Sequence, residues 1–163
     1  MHQPSLADLV GQYYAVQNEE LIPQCVVQPE TAEQVSRVVT VLKELECIFA
    51  VKSGGHSMIP GSSSIENGVL VDLSRMNSLE LAEDESTVSI GPGARWGDVY
   101  LALEERGLLV VGGRVSSVGV GGLTLGGTLI DLRDNKKAEL YKVVYLFSLV
   151  FMEWLVTMYE ALR

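Results

Sequence analysis

A short apolar run that empties into two adjacent glycines constrains this chain more than any other stretch: Phe49-Ala50-Val51-Lys52-Ser53-Gly54-Gly55-His56-Ser57. Its first positions read as a strand. The paired glycines let the backbone turn its N–H groups outward, because glycine takes positive φ at little cost and has no side chain in the way. Such a turn is a nest for an anion. A second glycine-rich run, Gly112 to Gly127, lies far downstream and again follows an apolar run, Leu108 to Val111. If folding brings the two runs face to face, they grip one diphosphate between them.

The charge balance agrees with a grip made of backbone amides. Twelve basic residues against 21 acidic ones give a net charge of −9, which leaves no broad basic face for a phosphodiester backbone and excludes nucleic acid as a partner. A diphosphate can still bind where N–H groups replace lysines. With 163 residues, 47% of them hydrophobic, the chain can bury the core of one globular unit. No basic start and apolar run open it, so the chain as it stands reads as cytoplasmic, and as secreted if a segment precedes Met1. The two cysteines, Cys25 and Cys47, have no metal-ligand spacing, and no metal is expected.

In chain order, Ser5 can cap a short helix carrying Leu6, Leu9, Val10 and Tyr13 on one stripe. Pro23 ends that pattern and Cys25-Val26-Val27 reads as a short strand. Thr31-Ala32-Glu33-Gln34 has capping-box form, and Val35, Val38, Val39, Leu42 and Leu45 follow at helical spacing. With the strand Ile48 to Val51 behind it, this order predicts a βαβ crossover of parallel strands. Cys25 and Cys47 then start neighbouring strands, where an oxidising compartment could bridge them. Val69 to Leu73 adds a third strand to that sheet. Leu79 and Leu81, then Val88 and Ile90, alternate about the acidic turn Glu83 to Ser86, which predicts a hairpin and a second, antiparallel sheet. Trp96, Val99, Tyr100 and Leu103 give a helix closed by Gly107, with Trp96 and Tyr100 assigned to the core.

Two common nucleotide motifs fail on inspection. Gly119-Val120-Gly121-Gly122-Leu123-Thr124 lacks the last glycine of G-x-G-x-x-G, and no glycine is followed by lysine as a Walker loop requires. The ordered landmarks do match another pattern. Pro23-x-Cys25-Val26-Val27-x-Pro29, Phe49 to Ser57, Gly91-Pro92-Gly93-Ala94-x-Trp96 and Val118-Gly119-Val120-Gly121-Gly122-Leu123 resemble the FAD-binding domain of the FAD-linked oxidases, the PCMH-type group with vanillyl-alcohol-oxidase and berberine-bridge-enzyme-like members. The resemblance runs from about Tyr13 to Gly127.

What this resemblance implies is an α+β, two-lobed domain, one lobe a small parallel sheet with a βαβ unit and the other a partial antiparallel or mixed sheet, with FAD between them. The implied cofactor-binding residues are Lys52, Ser53, Gly54, Gly55, His56, Ser57, Pro92, Gly93, Ser116, Ser117, Gly119, Gly121 and Gly122. His56 is the implied covalent link to the flavin 8α carbon. Some members add a cysteine link before the second glycine run, where this chain has Val115. The plain alternatives are a surface-loop histidine, a solvated Lys52, and glycines at 121 to 127 that only permit close packing; the Lys52 to Ser57 context favours the flavin role.

Residues 1–22 therefore read as a lead-in, 23–127 as a partial FAD-binding domain, and 128–163 as an atypical apolar tail. The family's further glycine, its adenine shelter and its substrate domain are not recognisable after Gly127, as though an exon boundary or reading frame had been misread. Val143 to Met152 is too short for a membrane span. Helix and strand both remain open there, with the length from Ala138 to Leu162 favouring a helix. The expectation is a truncated FAD-linked oxidoreductase, whose full-length relatives take a small-molecule substrate. No catalytic base can be named, and the fragment is expected to bind FAD weakly and to be inactive alone. The second reading is a non-catalytic interaction module whose tail docks on a partner or membrane. The oligomeric state is not encoded in any motif.

Overall fold

The computed structural model describes residues 12–126 and 142–146. The helix expected from Leu6 lies outside them, apart from Tyr13. The described chain begins instead with a single helical turn, α1 (Val16–Glu19).

Three parallel strands build the first sheet: β1 (Cys25–Val27), β2 (Phe49–Lys52) and β3 (Val69–Asp72). Their order is β1-β3-β2, with β3 in the middle. Val69, Leu70 and Val71 pair with Cys25, Val26 and Val27 on one side and with Phe49, Ala50 and Val51 on the other. A central strand is covered on both faces, and Leu70 and Val71 are fully buried as such a position requires. This order corrects the expectation for the cysteines. Strands two places apart are separated by about 10 Å, beyond the roughly 7 Å that a disulfide spans between Cα atoms. Cys25 is an exposed free thiol and Cys47 a half-buried one.

Helix α2 (Ala32–Glu44) connects β1 to β2. Thr31 caps it, its hydroxyl accepting from the Gln34 N–H at 3.3 Å, and the Gln34 side chain accepts from the Glu30 N–H at 2.8 Å. Val35, Val39 and Leu42 point inward and pack with Val71, Leu73 and Met76 to form the first core. Leu45, expected on the same stripe, is exposed because the helix has ended there and it caps the C-terminus.

The second sheet opens with the expected hairpin, β4 (Leu79–Leu81) against β5 (Thr87–Ile90), antiparallel, with Leu79 opposite Ile90. Helix α3 (Trp96–Glu104) follows and ends at Gly107, whose φ of +67° explains the glycine. Strand β6 (Leu108–Val110) then leads into the second glycine-rich run, and α4 (Val120–Gly126) follows it. Val88, Ile90, Trp96, Val99, Leu103, Leu108, Val110 and Val120 form a second core.

A segment of the tail completes this sheet. Strand β7 (Lys142–Leu146) lies parallel between β5 and β6, with Tyr145 opposite Thr87 and Val143 opposite Leu109. The helix favoured for this stretch is thus replaced by a strand between residues 142 and 146. The gap between β5 and β6 leaves two ladders of backbone groups unpaired, and a chain rich in Val and Tyr fills it. The rest of the tail lies outside the described residues. The fold is α+β, with a parallel sheet and a second, mixed sheet each backed by its own core.

Candidate functional site

Both glycine-rich runs leave their sheets at the same place. The first follows β2, where Gly55 takes φ +67° and Gly54 is buried. The second lies between β6 and α4. They meet backbone to backbone: a Cβ placed on Gly54 would sit 2.3 Å from the Gly119 nitrogen, and one on Gly119 equally close to the Gly54 nitrogen. Only two glycines permit this approach.

Hydrogen bonds from three segments hold the joint. The Ser53 hydroxyl donates to the Pro92 carbonyl at 2.6 Å, and the Gly121 N–H donates to that same oxygen at 3.2 Å, so Pro92 ties the two runs through one atom. The N–H groups of Trp96 and Gly97, at the start of α3, donate to the carbonyls of Val118 and Ser116. Arg95 sits just before that helix, and its Nη1 donates to the Gly54 carbonyl at 3.3 Å and, over a shorter distance, to the Ser117 carbonyl. One guanidinium therefore spans both runs.

His56 stands at their meeting point. Its Nε2 lies 2.9 Å from the Ser117 Oγ across the joint, and its ring stacks on Tyr14 with centroids 4.8 Å apart and planes 20° from parallel. Partial burial lowers its pKa below the ordinary 6.5, and the nearby Arg95 charge lowers it further. The imidazole is thus neutral near pH 7, with a lone pair on one ring nitrogen.

The loop after His56 is latched from the other side by Asn18, which is fully buried. Its Nδ2 donates to the Ser57 carbonyl at 2.8 Å, and its Oδ1 accepts from the Gly61 N–H and the Ser64 hydroxyl. Tyr14 adds a backbone bond from its N–H to the Gly55 carbonyl.

Lys52 is not solvated. It is 1% exposed, its ammonium lies 3.6 Å from an Asp72 carboxylate oxygen, and it also sits over the Tyr13 ring. Burial pulls its pKa down while Asp72 pushes it back up. The Tyr13 hydroxyl, raised well above its usual range by burial and then by Asp72, donates to the Ser63 carbonyl. This pair stiffens the end of β2 from behind, since the Lys52 Cε approaches Gly55.

Among the thirteen residues singled out from the sequence, Ser53, Gly54, Gly55, His56, Ser117, Gly119 and Gly121 meet at this joint. Ser57 starts the Asn18-latched loop, and Ser116 is exposed while its carbonyl holds α3. Pro92 serves through its carbonyl. Gly93 faces away, where a Cβ would sit 1.8 Å from the Leu73 carbonyl oxygen. Gly122 looks onto open space, with nothing within 4 Å of a Cβ there. Farther up the second run, Gly112 and Gly113 exist to seat the Trp96 ring, which is core as expected.

Arg95, Tyr14 and Asn18 escaped sequence reasoning. Arg95 occupies the unspecified position of Gly91-Pro92-Gly93-Ala94-x-Trp96, and no pattern marks Tyr14 or Asn18. Chemically, the joint offers amides. Among the described residues, no backbone hydrogen bond between segments uses the N–H of Gly54, Gly55, His56, Ser117 or Gly119. These donors, three of them on buried glycines and all close to a neutral imidazole, suit an anionic linker attached to a ring.

A family model described as "FAD binding domain" matches residues 23–135. The chain is 43% identical over 131 residues to the FAD-dependent monooxygenase tpcD of Cochliobolus heterostrophus, covering 78% of this chain and 25% of the relative. It is 50% identical over 113 residues to the FAD-dependent monooxygenase yanF of Aspergillus niger, covering 69% and 20% respectively. Among solved structures, chitooligosaccharide oxidase superposes with a TM-score of 0.60 at 31% identity, over 75% of this chain and 26% of that one. The chain spans about a quarter of the length of the curated relatives it matches.

Proposed function

The chain belongs to the FAD binding domain family of FAD-dependent oxidoreductases, with FAD as cofactor, and we propose that it supplies the diphosphate cradle and the covalent flavin anchor of such an enzyme, acting on a small-molecule alcohol, sugar or secondary metabolite. The observation that carries this reading is the joint itself: two separated glycine-rich runs in backbone contact, with unused amides and His56 bridging to Ser117. The amides of Gly54, Gly55, His56, Ser117 and Gly119 would hold the diphosphate, with Gly122 leaving open space beside them. Lys52, Pro92 and Gly93 would fix the loops from behind. His56, kept neutral, would offer a ring nitrogen to the flavin 8α carbon. The residues of the joint would hold FAD, which would supply a hydride acceptor for oxidation of the substrate.

Removal of the substrate's proton needs a positioned base. Asp72, the carboxylate behind the first loop, is engaged with Lys52 and with the Ser74 N–H. We infer that the base comes from outside the described residues, and that the chain alone holds FAD weakly and turns nothing over. The expected result is weak, saturable quenching of FAD fluorescence by the whole chain, competed by ADP, which shares the diphosphate, and not by riboflavin, which lacks it. Competition by riboflavin and not by ADP would refute the cradle. Flavin that survives acid precipitation in His56→Ala would refute the anchor, and tight binding by the chain alone would refute the inferred weakness.

A further inference from the structure

Resting on the flavin reading above, we propose that Arg95 is a positioning residue for His56: its guanidinium locks the two glycine-rich runs in register around the imidazole and sets a fixed positive charge at the joint. Among the described hydrogen bonds, Arg95 is the side chain from outside the two runs that bonds to both. Arg95 reaches Gly54, two residues before His56, and Ser117, whose hydroxyl is the partner of His56 across the joint. Both acceptors are main-chain carbonyls, so the contact fixes backbone position and does not depend on the side chains of the loops. Both bonds leave one nitrogen, Nη1, whose two N–H groups are held in the guanidinium plane, whereas an ammonium turns freely on a flexible stem.

Among the described residues, three groups bear on His56. Tyr14 stacks on it as a neutral ring, Ser117 donates or accepts according to the tautomer, and Arg95 is the cation at the joint. The Lys52–Asp72 pair lies behind Gly55 and largely cancels in charge. Arg95 also pushes the His56 pKa downward. Protonated imidazole has no lone pair free for a bond to carbon, so a fixed positive charge beside it favours the reactive form. The role thus combines a mechanical part and an electrostatic part, and substitution separates them.

The chain has two histidines, His2 and His56, so imidazole proton resonances can follow both in the flavin-free protein, with His2 as internal reference. In Arg95→Gln the His56 midpoint is expected to rise, because a neighbouring positive charge that disfavours the imidazolium is gone. In Arg95→Lys the charge remains, so the midpoint stays at the wild-type value. Amide exchange at Val118 and Gly121, whose N–H groups are hydrogen-bonded at the joint, speeds up in both, and FAD affinity falls several-fold in both. An unchanged midpoint in Arg95→Gln overturns the electrostatic part, as does an equal rise in both variants. Unchanged amide protection in Arg95→Lys overturns the mechanical part, and this variant decides it even if Arg95→Gln does not fold. Absence of FAD binding by the wild type would defeat the flavin reading, while the titration and exchange measurements would still decide the role of Arg95.

Discussion

Replacing Gly54 by alanine tests the joint most directly. Gly54 has no left-handed φ, so alanine suits its backbone and the cost arises from contact alone. The new Cβ would stand 2.3 Å from the Gly119 nitrogen and 2.6 Å from its Cα, both main-chain atoms that cannot swing aside. Restoring an ordinary contact separates the runs by about 1 Å. That displacement stretches the 2.9 Å His56–Ser117 bond and the 2.6 Å Ser53–Pro92 bond beyond useful length. At about 1 kcal/mol for each bond, plus the strain of what does not move, the loss is about 2–3 kcal/mol. In urea, with a slope of about 2 kcal/mol per molar, the unfolding midpoint should fall by about 1–1.5 M. Gly122→Ala is the control. It meets nothing within 4 Å and lies in α4, where alanine is favoured over glycine by up to about 1 kcal/mol, so its midpoint should hold or rise. Circular dichroism during urea titration measures both. A Gly54→Ala midpoint equal to wild type would refute the backbone contact between the runs.

Three other outcomes follow from the same geometry. The His56 pKa is lower folded than the 6.5 of the free side chain, so the unfolded chain takes up its proton first and stability falls as pH drops from 6.5 to the folded value; His56→Gln should flatten that part of the stability profile, and an unchanged profile would contradict the shift. Lys52→Met leaves Asp72 buried without its partner and should cost about 3–5 kcal/mol, whereas Lys52→Met with Asp72→Leu should recover most of it; equal losses in urea titration would show that the pair is not the cause. Denatured, unreduced protein should yield two reactive thiols per chain, since the interposed β3 keeps Cys25 from Cys47, and a yield of none would overturn the strand order.

The elements were legible in the sequence where local pattern decides them. Thr31 announces α2, the alternation about Glu83 to Ser86 announces the hairpin, and Gly107 announces the end of α3. Strand order was not legible, because β3 enters between β1 and β2 through pairings that no local pattern specifies. The tail shows the same limit: Lys142–Leu146 is a strand because β5 and β6 leave a vacancy between them, a fact about the sheet rather than about those five residues. In the site, the glycines were visible but their separate duties were not. Gly112 and Gly113 make room for Trp96, Gly93 for the Leu73 carbonyl, and Gly54 and Gly119 for each other.

The start of α3 shows why an acidic chain can build this site. A helix N-terminus is a ready place for an anion, yet here the first N–H groups of α3 are already bonded to the Ser116 and Val118 carbonyls. The helix therefore organises the second run and does not itself receive a ligand. Arg95 extends the same arrangement, answering two further carbonyls, at Gly54 and Ser117, through one nitrogen. With these carbonyls turned onto α3 and Arg95, the N–H groups of Gly55, Ser117 and Gly119 in the same peptide units are left without a backbone partner between segments, while that of Val118 bonds to the Val115 carbonyl. An anion at the joint would then meet backbone N–H dipoles and the Arg95 guanidinium although the chain as a whole carries −9. Any change that releases the Ser116, Ser117 or Val118 carbonyl from α3 and Arg95 should therefore weaken anion binding even when every glycine is kept.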